Sequence, residues 1–328
     1  MDPLTGPIRW GIAATGKIAG QFATAFRQLN DDSELVAVGS RTAETAERFA
    51  AAHHIPTAYA SYQDLAEDPS VDAIYIASLQ PRHVDDAVMF LNAGKHVLVE
   101  KPMALSAAEA DRMIDSATAN DRFLMEAMWM RFNPGPRAAV NHIISGSIGT
   151  VRSITADFSI VVPDDPNHRL RSQEKGGGSL LDLGIYPLTL AWWLLGKPHE
   201  ITAEGTVDGG VDTHCRIVAS WPDSSATLTC GLNTVGPLHA LIEGDRGTVT
   251  IDAPFHAAST FTWTDAEGRH DVVSTDGSSL HYQVMEVNRC LAAGQQQSVE
   301  NPWTTSRDIL AACDHIRTAL GVRYPTEP

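Results

Sequence analysis

Over the first 120 or so residues, apolar positions fall in short unbroken runs separated by longer amphipathic stretches. Ile8–Ala13, Glu34–Gly39, Ala73–Ala77 and His96–Val99 each read as a strand buried on both faces. The stretches that follow them, to about Gln28 and over Thr42–Ala52, Pro81–Ala93 and Ser106–Ala119, read as helices. Strands and helices alternating at this spacing predict a parallel, doubly wound sheet of the Rossmann type. Right-handed crossovers then put the carboxyl ends of the strands, and any ligand, along one edge.

After about residue 125 the period changes. Val151–Ile160 and Ala226–Cys230 alternate with period two, as half-solvated antiparallel strands do. Gly244–Gly247 and Asp265–Gly268 have the composition of hairpin turns. Helices around 180–195 and 281–293 complete the second region, and a tail helix over about 304–320 is free to pack on either side. The expected architecture is α/β: a dinucleotide-binding domain over 1–125, then an α+β domain over 126–328 with a large, mainly antiparallel open sheet. Apolar alternation on the open face of such a sheet needs covering, which predicts a homodimer through it.

Composition narrows the function. Among 328 residues the formal net charge is −16, spread along the chain, which argues against nucleic acid and anionic membranes as partners. Cys215, Cys230, Cys290 and Cys313 show no C-x-x-C spacing and read as buried thiols in a reducing compartment. The start Met1–Pro7 has neither a basic segment nor an apolar core, and the apolar run around Leu188–Leu195 is short for a bilayer. A cytoplasmic protein is expected. No G-x-S-x-G, H-E-x-x-H or P-loop is present, and His53–His54 has no carboxylates at metal spacing, so no metal is expected.

Two segments carry the chemistry. Ala14-Thr15-Gly16-Lys17-Ile18 opens the first helix, where a G-x-G-x-x-G/A turn aims backbone amides at a pyrophosphate. Ala14 stands in place of the first glycine, while Gly16 is kept. The second strand ends in Ser40-Arg41-Thr42, not in the carboxylate that binds NAD ribose. Arg41 offers a fork of donors to a 2′-phosphate, with hydroxyls from its neighbours, so NADP(H) is the expected cofactor. In the second segment Gly176–Gly178 precedes a helix with Asp182 and Tyr186 four apart on one face. The glycines are expected to let the backbone pass close to a ligand or cofactor. Tyr186 beside the ammonium of Lys101 suits proton exchange with an alcohol/carbonyl pair, and Asp182 suits orienting substrate hydroxyls or the lysine. Trp129, Arg131, Asn167, Arg169 and Arg171 have side chains suited to a sugar or diol.

Lys101, Asp182 and Tyr186, with Phe123–Pro134 and the closing Gly321–Pro325, resemble the glucose–fructose oxidoreductase / inositol dehydrogenase (Gfo/Idh/MocA) family over nearly the whole chain. The likeness is to the branch of dimeric dihydrodiol dehydrogenases and NADP-dependent xylose dehydrogenases. It implies a cis peptide at Lys101–Pro102 that aims the lysine into the cleft, with Glu100 beside it. It also implies nicotinamide-side contacts from the loop Ser78-Leu79-Gln80 and from His83, although Leu79 and Gln80 depart from the family's usual Pro-Asn. The activity implied is an NADP-dependent oxidoreductase on a sugar or polyol, most simply an aldose 1-dehydrogenase. A trans-dihydrodiol dehydrogenase and a reductase of anhydrofructose or a nucleotide-linked keto-sugar are the alternatives. A non-catalytic NAD(P) sensor has no chemical need for the intact Lys101, Asp182 and Tyr186.

Overall fold

The computed structural model describes residues 1–29 and 32–325. It divides the chain into two compact units, Met1–Trp129 with Ser279–Arg307, and Met130–Ser278 with Asp308 onward.

In the first unit, strands β1 (Ile8–Ala13), β2 (Ser33–Gly39), β3 (Thr57–Tyr59), β4 (Ala73–Ile76), β5 (His96–Glu100) and β6 (Leu124–Ala127) form one sheet in the order β3-β2-β1-β4-β5-β6. Every pairing in it is parallel. Helices α1 (Lys17–Phe26), α2 (Ala43–His53), α3 (Tyr62–Glu67), α4 (His83–Asn92) and α5 (Ala107–Ala119) make the crossovers. The order turns back between β1 and β4, the point at which such sheets open a crevice at their carboxyl ends. Residues of β4 and β5 are buried throughout, which is why they read as unbroken apolar runs. Thr42, Ser61 and Ser106 cap α2, α3 and α5 by accepting from backbone N–H groups three residues on. Strand β3 and helix α3, absent from the sequence reading, are too short to leave a periodic signal.

The second unit holds α6 (Pro134–Ile144), β7 (Val151–Ser159), α7 (Ile185–Leu195), β8 (Glu200–Asp208), β9 (Val211–Ser220), β10 (Ser225–Gly231), β11 (Ala240–Gly244), β12 (Gly247–Ile251), β13 (Thr260–Asp265) and β14 (His270–Ser274). Its sheet runs β14-β13-β12-β11-β7-β10-β9-β8, antiparallel except for the parallel pair β7–β10. Ile154, Ala156, Ala226, Leu228, Ile217, Ile242 and Val249 form the buried row, against α6 and α7. The opposite row is Thr155, Thr227, Thr229, Arg216, Glu243, Thr250 and Thr262, exposed or half-buried. The expected apolar alternation on that face is therefore a threonine-rich alternation, relieved only by residues such as Val218 and Leu241.

Two helices complete the chain. Helix α8 (His281–Ala292), expected in the second region, belongs to the first unit, where Trp10 Nε1 donates to Asn288 Oδ1 at 3.3 Å. Helix α9 (Trp303–Leu320) groups with the first unit as far as Arg307 and with the second beyond it. The helical stretch Gln173–Leu195 has 23 residues and a mean hydropathy of 1.2 in its most apolar window, but 83% of that window is buried inside the protein. Such burial is that of a core helix.

Candidate active site

In the first unit the turn after β1 has the geometry of a phosphate cradle. Ala14 takes φ +97°, a conformation left to glycine in most proteins, and its N–H donates to the Gly39 carbonyl at 3.0 Å. Gly16 is the N-cap of α1 and supplies no side-chain cap, so the first N–H groups of the helix are left for another acceptor. Apart from its own chain neighbours and helix, no described residue comes within 4 Å of where a Gly16 Cβ would stand. A dinucleotide pyrophosphate fits these three features. At the end of β2, Ser40 is buried and bonded to Thr45 Oγ1 at 2.6 Å, with Thr15 Oγ1 3.4 Å away. Thr42 is committed to capping α2. Arg41 is exposed and makes no side-chain hydrogen bond or ion pair with the described residues. Lys17 and Ile18 start the helix, Lys17 exposed.

The loop after β4 and the end of β5 are tied together through His83. Its Nδ1 lies 2.9 Å from the Pro102 carbonyl and its Nε2 3.1 Å from the Ser78 carbonyl. Burial lowers the imidazole pKa below its ordinary value, so the neutral ring donates to one of the two. The other end of the same peptide is held as well: Met103 N–H donates to Glu126 Oε1 at 2.9 Å, and Ser306 Oγ to Glu126 Oε2 at 2.6 Å. Lys101–Pro102 is cis. Lys101 is half-buried, and Glu100 accepts from the hydroxyl of Tyr75, whose ring stacks on Phe22 at 3.8 Å. Ser78 Oγ donates to Asp86, Gln80 is buried, and Leu79 is 48% exposed. Trp129 closes the first unit in a short 3-10 turn.

In the second unit, Asp182 lies in a π-helical turn, Leu180–Gly184, that runs into α7 and Tyr186. Turns of this kind are rare and recur at functional sites. Asp182 is buried and held by a bidentate fork from Arg169, 3.0 Å from Nη1 and 3.2 Å from Nη2. Tyr186 is 4% exposed. The His256 ring lies 4.9 Å from it and is stacked on Phe158 at 4.3 Å. Arg131 is buried with its guanidinium 4.8 Å over the Trp193 ring, and Asn167 is exposed, bonded to Asp165. Arg171 donates to the Pro163 carbonyl and to Asn233. Gly177 and Gly178, ahead of the turn, pack against protein. A Gly177 Cβ would stand 2.7 Å from the Arg169 carbonyl oxygen, and a Gly178 Cβ 2.4 Å from Asp212 Oδ1, with φ +124° at Gly178. Asp212 is fully buried, and its Oδ2 accepts from Ser179 Oγ and Leu180 N–H, both at 2.6 Å. Burial raises its carboxyl pKa above the ordinary value, against the pull of those bonds.

Comparison with known proteins assigns both units. Residues 8–128 match an oxidoreductase family with an NAD-binding Rossmann fold, and residues 137–250 match the GFO/IDH/MocA C-terminal domain. The chain belongs to the Gfo/Idh/MocA oxidoreductase family. It is 33% identical to a trans-1,2-dihydrobenzene-1,2-diol dehydrogenase of Danio rerio, over 97% of this chain and 98% of the relative. A protein of the same description from Mus musculus is 34% identical over 98% and 99%. The fold is shared with an aldose–aldose oxidoreductase of Caulobacter crescentus (TM-score 0.87, 23% identity, 96% and 98% covered). It is shared also with a 3-ketoreductase of Actinomadura kijaniata in complex with NADP (TM-score 0.84, 24% identity, 98% and 100% covered).

Among Gfo/Idh/MocA positions, Asp212, Glu126, Phe158 and His256 escaped the sequence reading as parts of a site. None carries a local motif. Asp212 and His256 come from distant strands or loops, and Glu126 was noticed only inside a longer likeness.

Proposed function

We propose that this protein is an NADP-dependent oxidoreductase that transfers a hydride from a CH–OH carbon of a small sugar or polyol to the nicotinamide, most simply from the C1 hemiacetal of an aldose. The observation that carries the cofactor choice is Arg41: exposed at the end of β2 with no hydrogen-bond or ion-pair partner among the described residues, and with no carboxylate at that strand end to hold a ribose diol. When bound, the nicotinamide supplies the hydride acceptor. Tyr186 takes the proton from the substrate hydroxyl as general base, and Lys101, the lysine of the family's Lys-Pro motif, supplies a positive charge to the reaction. Asp182, fixed by Arg169, orients the substrate hydroxyls. The aromatic surface of Phe158 and His256 beside Tyr186 supports a ligand with one apolar face, which both a pyranose and a cyclic diol have.

Oxidation of a trans-dihydrodiol is a second reading, favoured by relatives bearing that description at 33% and 34% identity over nearly the whole chain. A homodimer in a cytoplasmic enzyme belongs to the same proposal, resting on the likeness to the dimeric dihydrodiol dehydrogenases since the sheet face is threonine-rich and not apolar; light scattering at micromolar concentration tests it, a monomer counting against it.

Absorbance at 340 nm decides the chemistry. With NADP and a panel of aldoses, inositols and trans-dihydrodiols, turnover is expected on aldoses, and turnover on dihydrodiols alone would select the second reading. Replacement Arg41→Ala should weaken NADPH about 10-fold, the scale of a charge-assisted pair at the surface, and leave NADH within twofold. Equal losses would remove the 2′-phosphate role.

A further inference from the structure

Beyond α9 the chain turns at Gly321 (φ +75°) and brings its closing residues back onto the second unit's glycine turn. Tyr324 is 2% exposed, and its hydroxyl donates to the Gly177 carbonyl at 2.6 Å. From the same loop Gln173 Nε2 donates to the Arg323 carbonyl. The guanidinium of Arg317 lies 4.8 Å over the Tyr324 ring and pairs with Asp314 at 2.6 Å, so the ring is held as well as its hydroxyl. On the other side of the turn Asp212 holds Ser179 and Leu180. Gly178 lies between the two: its Cβ would stand 2.4 Å from Asp212 Oδ1 and 3.5 Å from the Tyr324 hydroxyl.

We propose that Tyr324 is a positioning residue for the reaction, clamping with Asp212 the Gly177–Leu180 segment and so fixing where Asp182 and Tyr186 stand. Leu180 opens the π-turn that holds Asp182, and Tyr186 follows without a break in helix, so a shift at the clamp is carried to both. A displacement of about 1 Å at reacting groups can cost on the order of 100-fold in rate. Tyrosine is suited to this place because phenylalanine would bury the same ring but leave the Gly177 carbonyl without this donor.

The inference rests on the proposed role of Tyr186, and the test separates the two. Tyr324→Phe is expected to lower kcat about 10-fold, the scale of one buried hydrogen bond, with the KM for NADP unchanged and the pH profile of kcat displaced. Amide hydrogen exchange over 178–182 should quicken about 10-fold. In a Tyr186→Phe background the loss of kcat should disappear, which a general weakening of the fold would not produce. Asp212→Asn keeps an oxygen for the Leu180 N–H and should retain more activity than Asp212→Ala. Wild-type kcat and exchange in Tyr324→Phe would overturn the clamp and leave the oxidoreductase reading intact. A wild-type protein silent on every substrate, with faster exchange in the variant, would support the clamp and count against that reading.

Discussion

The turn at Ala14–Gly16 and the turn at Gly176–Gly178 each carry glycine into the start of a helix, yet around Gly16 there is open space and around Gly178 there is none. In the first, the missing side chain lets something outside the protein approach an uncapped helix terminus. In the second, it lets the protein close on itself, with the Arg169 carbonyl, Asp212 and Tyr324 filling the places of the absent methyls. A glycine run is thus ambiguous by itself. What surrounds it decides whether it serves a ligand or the packing that steadies a catalytic segment.

The contrast breaks first at Gly178. An alanine there must accept φ +124° and a contact of 2.4 Å with a buried carboxylate, so Gly178→Ala should cost about 3 kcal/mol or more in urea denaturation. A cost below about 1 kcal/mol would show the turn to be looser than it looks. Next in size is Tyr186→Phe, expected to reduce turnover about 100-fold while NADPH binding, followed by fluorescence, stays within twofold. Near-full activity would take proton transfer away from the second turn's helix altogether. Gly16→Ala should do the reverse of Gly178→Ala: a stability change below about 1 kcal/mol, since φ is −77° and nothing is near, but NADPH affinity down about 10-fold. Unchanged affinity would mean that the pyrophosphate does not pass over Gly16.

How much of this was legible beforehand follows the same division. The strand–helix alternation to residue 119, the Ala14 substitution and the missing carboxylate after β2 are local, and each was readable from adjacent residues. The sheet of the second unit was readable as a type from Val151–Ile160 and Ala226–Cys230, but its threonine-rich outer row was not, because alternation does not say which face is covered. Asp212, Glu126 and Tyr324 act through partners 32, 23 and 147 positions away, and no pattern of neighbours reports such pairings. The glycine run at 176–178 was readable, but the packing of Gly177 and Gly178 against the Arg169 carbonyl and Asp212 was not, since those partners come from a separate turn and a distant strand.

The smallest expected effect tests the one place where the first turn departs from its fingerprint. Ala14 holds φ +97°, which a side chain disfavours by about 1–3 kcal/mol, while a glycine there enlarges the unfolded ensemble by about 0.4–1 kcal/mol. The first figure exceeds the second, so Ala14→Gly should stabilise the protein by about 1 kcal/mol and raise Tm by about 1–2 °C. NADPH affinity should stay within twofold, because the open space is at Gly16 and the Ala14 N–H is already committed to Gly39. A stabilised variant that binds NADPH more tightly would mean instead that the methyl of Ala14 crowds the cofactor. The two turns would then differ less than their surroundings suggest, since both would be places where a Cβ limits what can come near.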